Sequence, residues 1–369
     1  MKLASRVGQI QPSATMAMDA KAKTLKAQGI DIVSFGLGEP DFDTAPVAAE
    51  AGIAAIRMGE TRYTSPSGTD ELKDAIINKL KKDNHLDYEK KEVIVSCGAK
   101  HTLYNIAQVL FEAGDEVIIP APYWVTYPDQ IVLSGATPVF VKTDEANRFL
   151  MTPAQLSSAI TPRTKGVIFN SPSNPTGSIY TQADYEAFSD LLLKTDLWII
   201  SDEIYEKFIY GDSNHVSLAA LHAGLKQKTI IVNGVSKAYS MTGWRIGYAA
   251  GPAAVVQAMS TLQSQITSNP TSISQKAAAA ALIGGESFIG EMVRAFSERR
   301  TLVVDGLNKI SGIQCALPPG SFYVFPNVKA LIGKEHSKGK IQNTLDLATF
   351  LLEEGGVTTI PGEAFGAPG

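Results

Sequence analysis

The sequence contains few cysteines, no long apolar run and no start that resembles a secretion signal. Of its 369 residues only Cys97 and Cys315 are cysteines, and two distant thiols in a chain of this length form neither a disulfide framework nor a metal-ligand pattern. The longest apolar stretches, such as 117–122 and 197–200, fall far short of the roughly 20 residues that span a bilayer. Residues 1–8 lack the apolar core of a signal peptide. We therefore expect a cytoplasmic protein.

The charges of the two signs are nearly balanced, with 33 basic and 37 acidic residues and a net charge of −4. Only the short clusters 79–82 and 90–91 accumulate lysine, so the basic stripe of a nucleic-acid binder is missing. With 44% hydrophobic and 19% charged residues, the composition is that of an ordinary globular protein and excludes disorder, collagen and coiled coil. The length fits two domains, or one large domain with a smaller one.

Short β-rich runs alternate with helical patterns from about residue 93 onward, which predicts an α/β fold with a large mixed, mostly parallel sheet. The runs are nearly all apolar, as expected for strands buried on both faces. The predicted strands are Val93–Cys97, Val117–Pro120, Pro138–Lys142, Gly166–Asn170, Trp198–Asp202, Thr229–Gly234 and Ile246–Ala250.

Helices are predicted on both sides of this block, and a smaller α+β unit follows it. Apolar spacing indicates helices over 70–82, 253–262, 274–282 and 289–310, and the last part combines a helix over 345–354 with a strand over 357–360. We therefore divide the chain into three parts. Residues 1–45 form an N-terminal arm and part of the small domain, 46–285 the large domain, and 286–369 the small C-terminal domain.

Nucleotide and metal motifs are absent from the sequence. No complete G-x-G-x-x-G follows a strand, and no G-x-x-x-x-G-K-[ST] occurs. The five histidines have no spacing that would assemble a zinc site with carboxylates or thiols. We therefore predict no metal site.

The segment 233–248 contains the most informative lysine. Lys237 comes just after an apolar strand, where open α/β sheets bind their ligands, and Arg245 follows between glycines. A lysine in this position could form a Schiff base with a carbonyl cofactor while the arginine binds a phosphate. Taken alone, Lys237 is one of many lysines, and a solvated surface residue is the simpler interpretation.

Motifs spread over the whole chain decide between these readings, because together they resemble the class I, fold-type I aminotransferases that use pyridoxal 5′-phosphate. The resemblance is strongest to the bacterial aspartate aminotransferase branch. It implies a large cofactor-binding domain, a smaller α+β domain and a homodimer. The motifs are Pro12–Thr15, Gly38–Phe42, Tyr63–Thr64, Pro122–Trp124, Asn174–Gly177, Ser201–Tyr205 and Pro361–Gly362.

The resemblance implies three catalytic residues, Lys237, Asp202 and Tyr205. Lys237 would carry the cofactor as a Schiff base and then shuttle a proton, and Asp202 would pair with the protonated ring nitrogen. Tyr205 and Asn174 would bind the phenolic oxygen, and Trp124 would stack on the ring. The plainer alternatives are a helix cap for Asp202, a turn for 174–177 and a buried structural tryptophan.

The resemblance also implies a phosphate site at a helix N-terminus. In many relatives a hydroxyl stands three positions before the lysine, where this chain has Gly234, so Ser236 is the less certain contact. Tyr63 would reach in from the second subunit. The residues of this site are Gly98, Ala99, Lys100, Ser236, Arg245 and Tyr63.

For the substrate, the resemblance implies that Gly38, Trp124 and Asn174 contact the α-carboxylate, and that Lys100 and Thr15 contact a distal carboxylate. The expected reaction is L-aspartate plus 2-oxoglutarate giving oxaloacetate plus L-glutamate. Relatives that also use prephenate carry a lysine where this chain has Gln11, which argues against prephenate. The alternatives are an aromatic or broad-specificity aminotransferase, a C–S lyase and a non-catalytic paralogue that binds pyridoxal phosphate.

The C-terminal motif ends close to the last residue. Relatives continue beyond 361–366 into a strand with an arginine that binds the α-carboxylate, and then into a helix, whereas this sequence stops at Gly369. Either the natural chain continues beyond Gly369, or it has no such arginine. In the second case we expect poor turnover, because the paired donors of an arginine orient a carboxylate as well as bind it.

Overall fold

The computed structural model describes residues 3–10, 14–336 and 339–367. The α-helices are α1 Ala14–Ala27, α2 Pro46–Arg57, α3 Asp70–Asn84, α4 Ala99–Leu110, α5 Tyr127–Leu133, α6 Pro153–Ala159, α7 Gln182–Leu193, α8 Ala223–Lys226, α9 Ala253–Ile266, α10 Ser272–Gly284, α11 Glu286–Leu307 and α12 Thr344–Glu353. The strands are β1 Val33–Ser34, β2 Val93–Ser96, β3 Glu116–Ala121, β4 Thr137–Lys142, β5 Thr164–Asn170, β6 Trp198–Asp202, β7 Thr229–Gly234, β8 Gly247–Ala250, β9 Glu335–His336, β10 Gly339–Lys340 and β11 Val357–Thr358.

The predicted strands of the 93–250 block form one seven-stranded sheet in the order β2-β8-β7-β6-β5-β3-β4. Strand β8 runs antiparallel to both of its neighbours, and all other pairs are parallel. The expectation of a mixed, mostly parallel sheet is therefore confirmed. Strands β5, β6 and β7 lie side by side, so their carboxyl ends meet at one edge, where such sheets bind ligands.

Helices cover both faces of the sheet, because side chains alternate between the faces along each strand. In β7, Ile231 belongs to the apolar cluster that includes Leu72 and Ile76 of α3. Its neighbours Ile230 and Val232 belong to the cluster on the opposite face, formed with α4 and α9. Burial on both faces explains why these strands are apolar without a polar alternate position.

The N-terminal segment packs with the C-terminal part of the chain. Strand β1 pairs in parallel with β11, and Met18 and Ala22 of α1 share a small apolar cluster with Ala348 and Leu352 of α12. The long helix α11 begins directly after α10 and leads toward this part. The domain boundaries near 45 and 285 stay predictions. Within the described ranges, no helix is both long and apolar enough to cross a membrane.

Several helices had not been located from the sequence. Helix α2 buries Ala48, Gly52 and Ala55, whose small side chains give a weak apolar signal. Helices α6 and α7 begin at capping boxes, in which Thr152 and Thr181 accept hydrogen bonds from backbone N–H groups. The capping boxes are a sequence signal that could have located both helices, and in α7 the apolar spacing of Tyr185, Phe188 and Leu192 is a second one.

Candidate active site

Lys237 lies three residues after β7, at the carboxyl edge of the sheet. Its Nζ donates a hydrogen bond to the Gly38 carbonyl oxygen at 2.6 Å. Burial lowers the pKa of Lys237 to about 8 from the ordinary 10.5, with Arg245 acting in the same direction and Glu39 opposing it. A substantial fraction of this amine is therefore neutral near physiological pH, as a nucleophile requires.

Asp202 ends β6 beside it and is 4% exposed. One carboxylate oxygen accepts from the Tyr127 hydroxyl at 2.6 Å and the other from the Ile204 backbone N–H at 3.2 Å. Burial raises the pKa of Asp202 to about 6, although the Tyr127 hydrogen bond lowers it. The bond to Ile204 closes a local turn and not the helix cap that the plainer alternative expected, since the next helical segment after Asp202 begins only at Leu218. Both hydrogen-bond partners are neutral, so the negative charge of this buried carboxylate would be stabilised by a cationic partner.

The start of α4 forms the predicted helix N-terminus beside the same edge. Gly98 caps the helix with a φ of +90°, and the first-turn N–H groups of Ala99 and Lys100 have no helical carbonyl four residues earlier. Arg245 packs directly on Gly98, since a Cβ built there would lie 2.4 Å from Nη2. Its Nη1 donates to the Thr242 carbonyl at 2.8 Å, which fixes the guanidinium near these N–H groups.

Lys100 and Trp124 form a cation–π contact near this helix. The Lys100 Nζ lies 5.1 Å from the centre of the Trp124 ring. Burial, and then the charge of Arg245, lower the pKa of Lys100, while Asp129 opposes them. The Trp124 ring meets Tyr127 edge to face at 5.3 Å between centroids. Trp124, Tyr127 and Asp202 thus form one connected group.

Tyr205 is buried three residues after Asp202, and its ring lies 5.9 Å from Nζ of Lys237. Burial, and then the contact with Tyr323, raise the pKa of Tyr205 well above its ordinary value, and a side-chain hydrogen bond from Asn174 opposes this. The Asn174 backbone N–H donates to Oδ1 of Asn170 at 2.8 Å, which holds the 174–177 turn against the end of β5. Tyr205 and Asn174 therefore meet as expected from the sequence.

The remaining predicted residues divide into two groups. Ser236 is buried one position before Lys237, and Gly38 contacts Lys237 through its carbonyl. Tyr63, by contrast, is 90% exposed at the surface of this chain. Gln11 and the Thr15 side chain lie outside the described residues.

Three side chains at the site were not predicted. Tyr127 binds Asp202, Tyr323 binds the Tyr205 hydroxyl at 2.6 Å, and Glu39 accepts from the Thr242 hydroxyl at 2.8 Å. Glu39 lies in the quoted 38–42 motif, which could have drawn attention to it. No spacing rule connects Tyr127 or Tyr323 to partners that lie 75 and 118 positions away.

A histidine does meet carboxylates in the fold, although its spacing in the sequence did not indicate this. His215 Nε2 lies 3.0 Å from Oε2 of Glu203 and 3.8 Å from Oε2 of Glu206. The spacing rule failed because the loop after β6 folds back on itself. Lys79 forms an ion pair with Glu206, and Asn84 donates to both glutamates, so protein groups already serve these carboxylates.

The site residues fit a cofactor with an aldehyde, a basic ring nitrogen and a phosphate. The amine of Lys237, whose lowered pKa increases its neutral fraction, suits the aldehyde, and the buried carboxylate of Asp202 suits a protonated ring nitrogen. The helix N-terminus beside Arg245 suits a phosphate. The fold and this edge of the sheet define a fold-type I enzyme that uses pyridoxal 5′-phosphate.

The chain belongs to the class I and II aminotransferases, whose family model matches residues 30–369. It is 50% identical over 368 residues to the aspartate aminotransferase of Geobacillus stearothermophilus, covering all of this chain and 93% of that protein. It is 46% identical over 372 residues to the aspartate/prephenate aminotransferase of Nitrosomonas europaea, covering all of this chain and 94% of that one. The solved aspartate aminotransferase of Thermus thermophilus with maleate is similar in structure, with a TM-score of 0.93 and 38% identity over 99% of this chain and 93% of that one.

Proposed function

We propose that this aminotransferase transfers the amino group of L-aspartate to 2-oxoglutarate in the cytoplasm, giving oxaloacetate and L-glutamate. One observation supports the proposal above all: Lys237, Asp202 and the Arg245–Gly98 contact lie at one edge of the sheet. The ammonium group of Lys100 lies next to them. The names of the relatives support aspartate, and the Thermus thermophilus enzyme was solved with maleate, a dicarboxylate.

Four residues would hold the ring of the cofactor. Asp202 would accept a hydrogen bond from the protonated ring nitrogen and so gain a cationic partner for its buried carboxylate. Tyr205 and Asn174 would donate to the phenolic oxygen, and Trp124 would lie on the ring face. When bound, the cofactor supplies an electron sink for the electron pair left as the substrate Cα loses its proton.

The phosphate would bind at the N-terminus of α4. The N–H groups of Ala99 and Lys100 and the guanidinium of Arg245 would bind it, and the Ser236 hydroxyl is the less certain donor. The Gly98 N–H already donates to the Ser96 carbonyl at 2.7 Å, so Gly98 would contribute mainly by leaving room for Arg245. A phosphate would accept hydrogen bonds from the first-turn N–H groups and would interact favourably with the positive end of the helix dipole.

Lys237 would have two roles. Its amine would bind the cofactor covalently, for which the lowered pKa favours the reactive neutral form. Displaced by the substrate amine, the same Nζ would take the proton from the substrate Cα and return it to the neighbouring cofactor carbon as a general base and acid. Its contact with the Gly38 carbonyl would orient the free amine.

The substrate would bind between the sheet edge and the 38–42 segment. Gly38, Trp124 and Asn174 would contact the α-carboxylate. The Lys100 ammonium beside the Trp124 ring would attract the distal carboxylate, which suits aspartate, glutamate and their 2-oxo acids. Thr15 is proposed as a second contact to that carboxylate.

The visible absorption spectrum of the purified protein tests this reaction. After loading with pyridoxal phosphate, L-aspartate is expected to shift the band to that of the amine form, and 2-oxoglutarate to restore it. Phenylalanine and cystathionine serve as comparison substrates, because a response to the first would indicate the aromatic alternative and a response to the second the C–S lyase. A loaded band that does not respond to aspartate contradicts the substrate assignment, and a larger response to phenylalanine favours the aromatic enzyme.

The enzyme is also proposed to act as a homodimer in which Tyr63 completes the partner's phosphate site. On this chain Tyr63 is 90% exposed, and Ile56 and Met58, at the end of α2, are 57% and 66% exposed. Large apolar side chains that remain exposed in this way are typical of an association surface.

Mixing two inactive variants tests the shared site. Tyr63→Ala and Lys237→Ala chains are unfolded together, refolded and assayed. If Tyr63 acts across the interface, the mixed dimer contains one site with both residues intact, and activity rises above that of either variant. If Tyr63 acts within its own chain, no intact site forms and mixing restores nothing.

A further inference from the structure

Tyr323 comes from the segment after α11 and contacts two groups of the active site at once. Its hydroxyl lies 2.6 Å from the Tyr205 hydroxyl, and the two rings meet edge to face with centroids 5.4 Å apart. The same hydroxyl lies so close to Gly38 that a Cβ built on Gly38 would be 2.1 Å from it. Gly38 in turn accepts the hydrogen bond from Lys237.

We propose that Tyr323 is a positioning residue of the transamination, which donates a hydrogen bond to the Tyr205 hydroxyl and so directs the Tyr205 proton toward the cofactor. The inference rests on the proposed role of Tyr205 as donor to the phenolic oxygen. Nothing in the quoted motifs assigned a role to Tyr323.

Proton counting gives the direction of the hydrogen bond. Each tyrosine hydroxyl has one proton, so only one of the pair donates across the 2.6 Å contact. When Tyr205 donates its proton to the phenolic oxygen, it accepts from Tyr323. A donor behind a donor polarises it, so the bond from Tyr323 strengthens the bond that Tyr205 makes.

The surroundings hold Tyr323 in place for this role. The neighbouring Phe322 ring stacks on Phe296 of α11 at 5.1 Å between centroids, and the Ser321 N–H donates to the Phe208 carbonyl at 2.9 Å. Gly38 gives the hydroxyl its space. Gly38 does not have a positive φ, so the close approach of Tyr323, rather than the backbone conformation, requires glycine there.

The test is a pH titration of the visible absorption of the cofactor-loaded protein, without substrate. Donors to the phenolic oxygen stabilise the form with more negative charge, so their loss raises the pH midpoint of the colour change. We expect an upward shift of about 1–2 pH units for Tyr205→Phe and of about 0.5 unit for Tyr323→Phe.

Tyr210→Phe is the matched control. Tyr210 belongs to the same aromatic cluster and is 4% exposed, but its hydroxyl has no hydrogen-bond partner among the described residues. Its loss is expected to leave the midpoint unchanged. A Tyr323→Phe midpoint equal to that of Tyr210→Phe overturns the inference, whereas an unshifted Tyr205→Phe midpoint overturns the proposed role of Tyr205 itself and the inference with it.

A second variant tests the Gly38 contact. Gly38→Ala is expected to displace the Tyr323 hydroxyl and raise the midpoint as much as Tyr323→Phe does. Added to Tyr323→Phe, it is expected to raise the midpoint little further, because the two changes break the same contact. Fully additive shifts contradict the coupling of Gly38, Tyr323 and Tyr205.

Discussion

Replacing Gly98 with alanine is expected to weaken binding of pyridoxal phosphate by about 10- to 100-fold. A Cβ on residue 98 would lie 2.4 Å from Nη2 and 2.8 Å from Cζ of Arg245, so the guanidinium must move away from the N-terminus of α4. A hydrogen bond to a charged group contributes about 1.5–3 kcal/mol, and each 1.4 kcal/mol is about tenfold in affinity. Loss of the contact between Arg245 and the phosphate gives the stated range.

Backbone strain has to be separated from this contact. Gly98 has a φ of +90°, so any other residue there costs about 1–3 kcal/mol of folding free energy. Gly114 has a φ of +101° and no atom within 4 Å of a built Cβ. Gly114→Ala is therefore a control with similar strain but without the displaced arginine.

Two measurements on both variants complete the test. The dissociation constant is obtained by titrating the cofactor-free protein with pyridoxal phosphate, and stability by urea unfolding of the same protein without cofactor. We expect both variants to lose similar stability and only Gly98→Ala to lose affinity. Equal dissociation constants for the two variants would refute the role of the Gly98–Arg245 contact.

Three further predictions concern buried or partly buried charges. Glu206→Gln removes the counter-charge of buried Lys79, and we expect it to lower the free energy of unfolding in urea by about 3 kcal/mol. Glu286→Gln breaks the exposed pair with Lys82 and is expected to lower it by less than about 1 kcal/mol. Burial raises the pKa of Glu206, but Lys79 and His215 outweigh it and lower the pKa to about 2. The contribution of Glu206 to stability is therefore complete above the ordinary pKa of 4.5 and is lost as the pH falls through 2. A stability difference between the wild type and Glu206→Gln that stays constant down to pH 2 contradicts this. The rate at which cofactor-free protein binds pyridoxal phosphate is expected to rise with pH around a midpoint of about 8, because the neutral amine of Lys237 is the form that reacts. A midpoint near 10.5 would contradict the lowering of the Lys237 pKa by burial. Lys100→Met, which keeps the backbone N–H, is expected to raise the KM for aspartate about tenfold and to change that for phenylalanine less than about twofold; equal changes exclude a contact with the distal carboxylate.

The sheet and the residues along its edge could be predicted because both are recorded locally in the sequence. Each buried strand is an apolar run. Asp202 ends one of these runs, and Asn174 and Lys237 follow others within a few positions. Only Lys237 was singled out by its position after a strand, whereas the roles of Asp202 and Asn174 were implied by the family resemblance. Parallel strands end at one edge, which explains why these side chains meet. Helix α2 could not be predicted, because the alanine and glycine residues on its buried face give only a weak apolar signal.

Contacts between distant segments could not be predicted in this way. The Tyr127–Asp202 and Tyr205–Tyr323 bonds join residues 75 and 118 positions apart, and a hydroxyl carries no signal of its partner. The same holds for His215, which reaches Glu203 only because the intervening loop returns to the strand end. Hydrogen bonds of this kind depend on the packing of whole elements, which periodicity does not encode.

The glycines give the clearest example of this difference. By local pattern alone, Gly38, Gly98 and Gly114 are similar residues in loop-like segments, and only the family resemblance singled out the first two. In the fold, Gly114 is needed for its positive φ, Gly38 for the approach of the Tyr323 hydroxyl, and Gly98 for both its φ and the approach of Arg245. Alanine at these positions should therefore give three outcomes: lost stability at 114, a shifted absorption midpoint at 38, and lost stability with lost cofactor affinity at 98. If none of the three variants changes the absorption midpoint or the cofactor affinity, the close contacts of Tyr323 and Arg245 have no functional consequence.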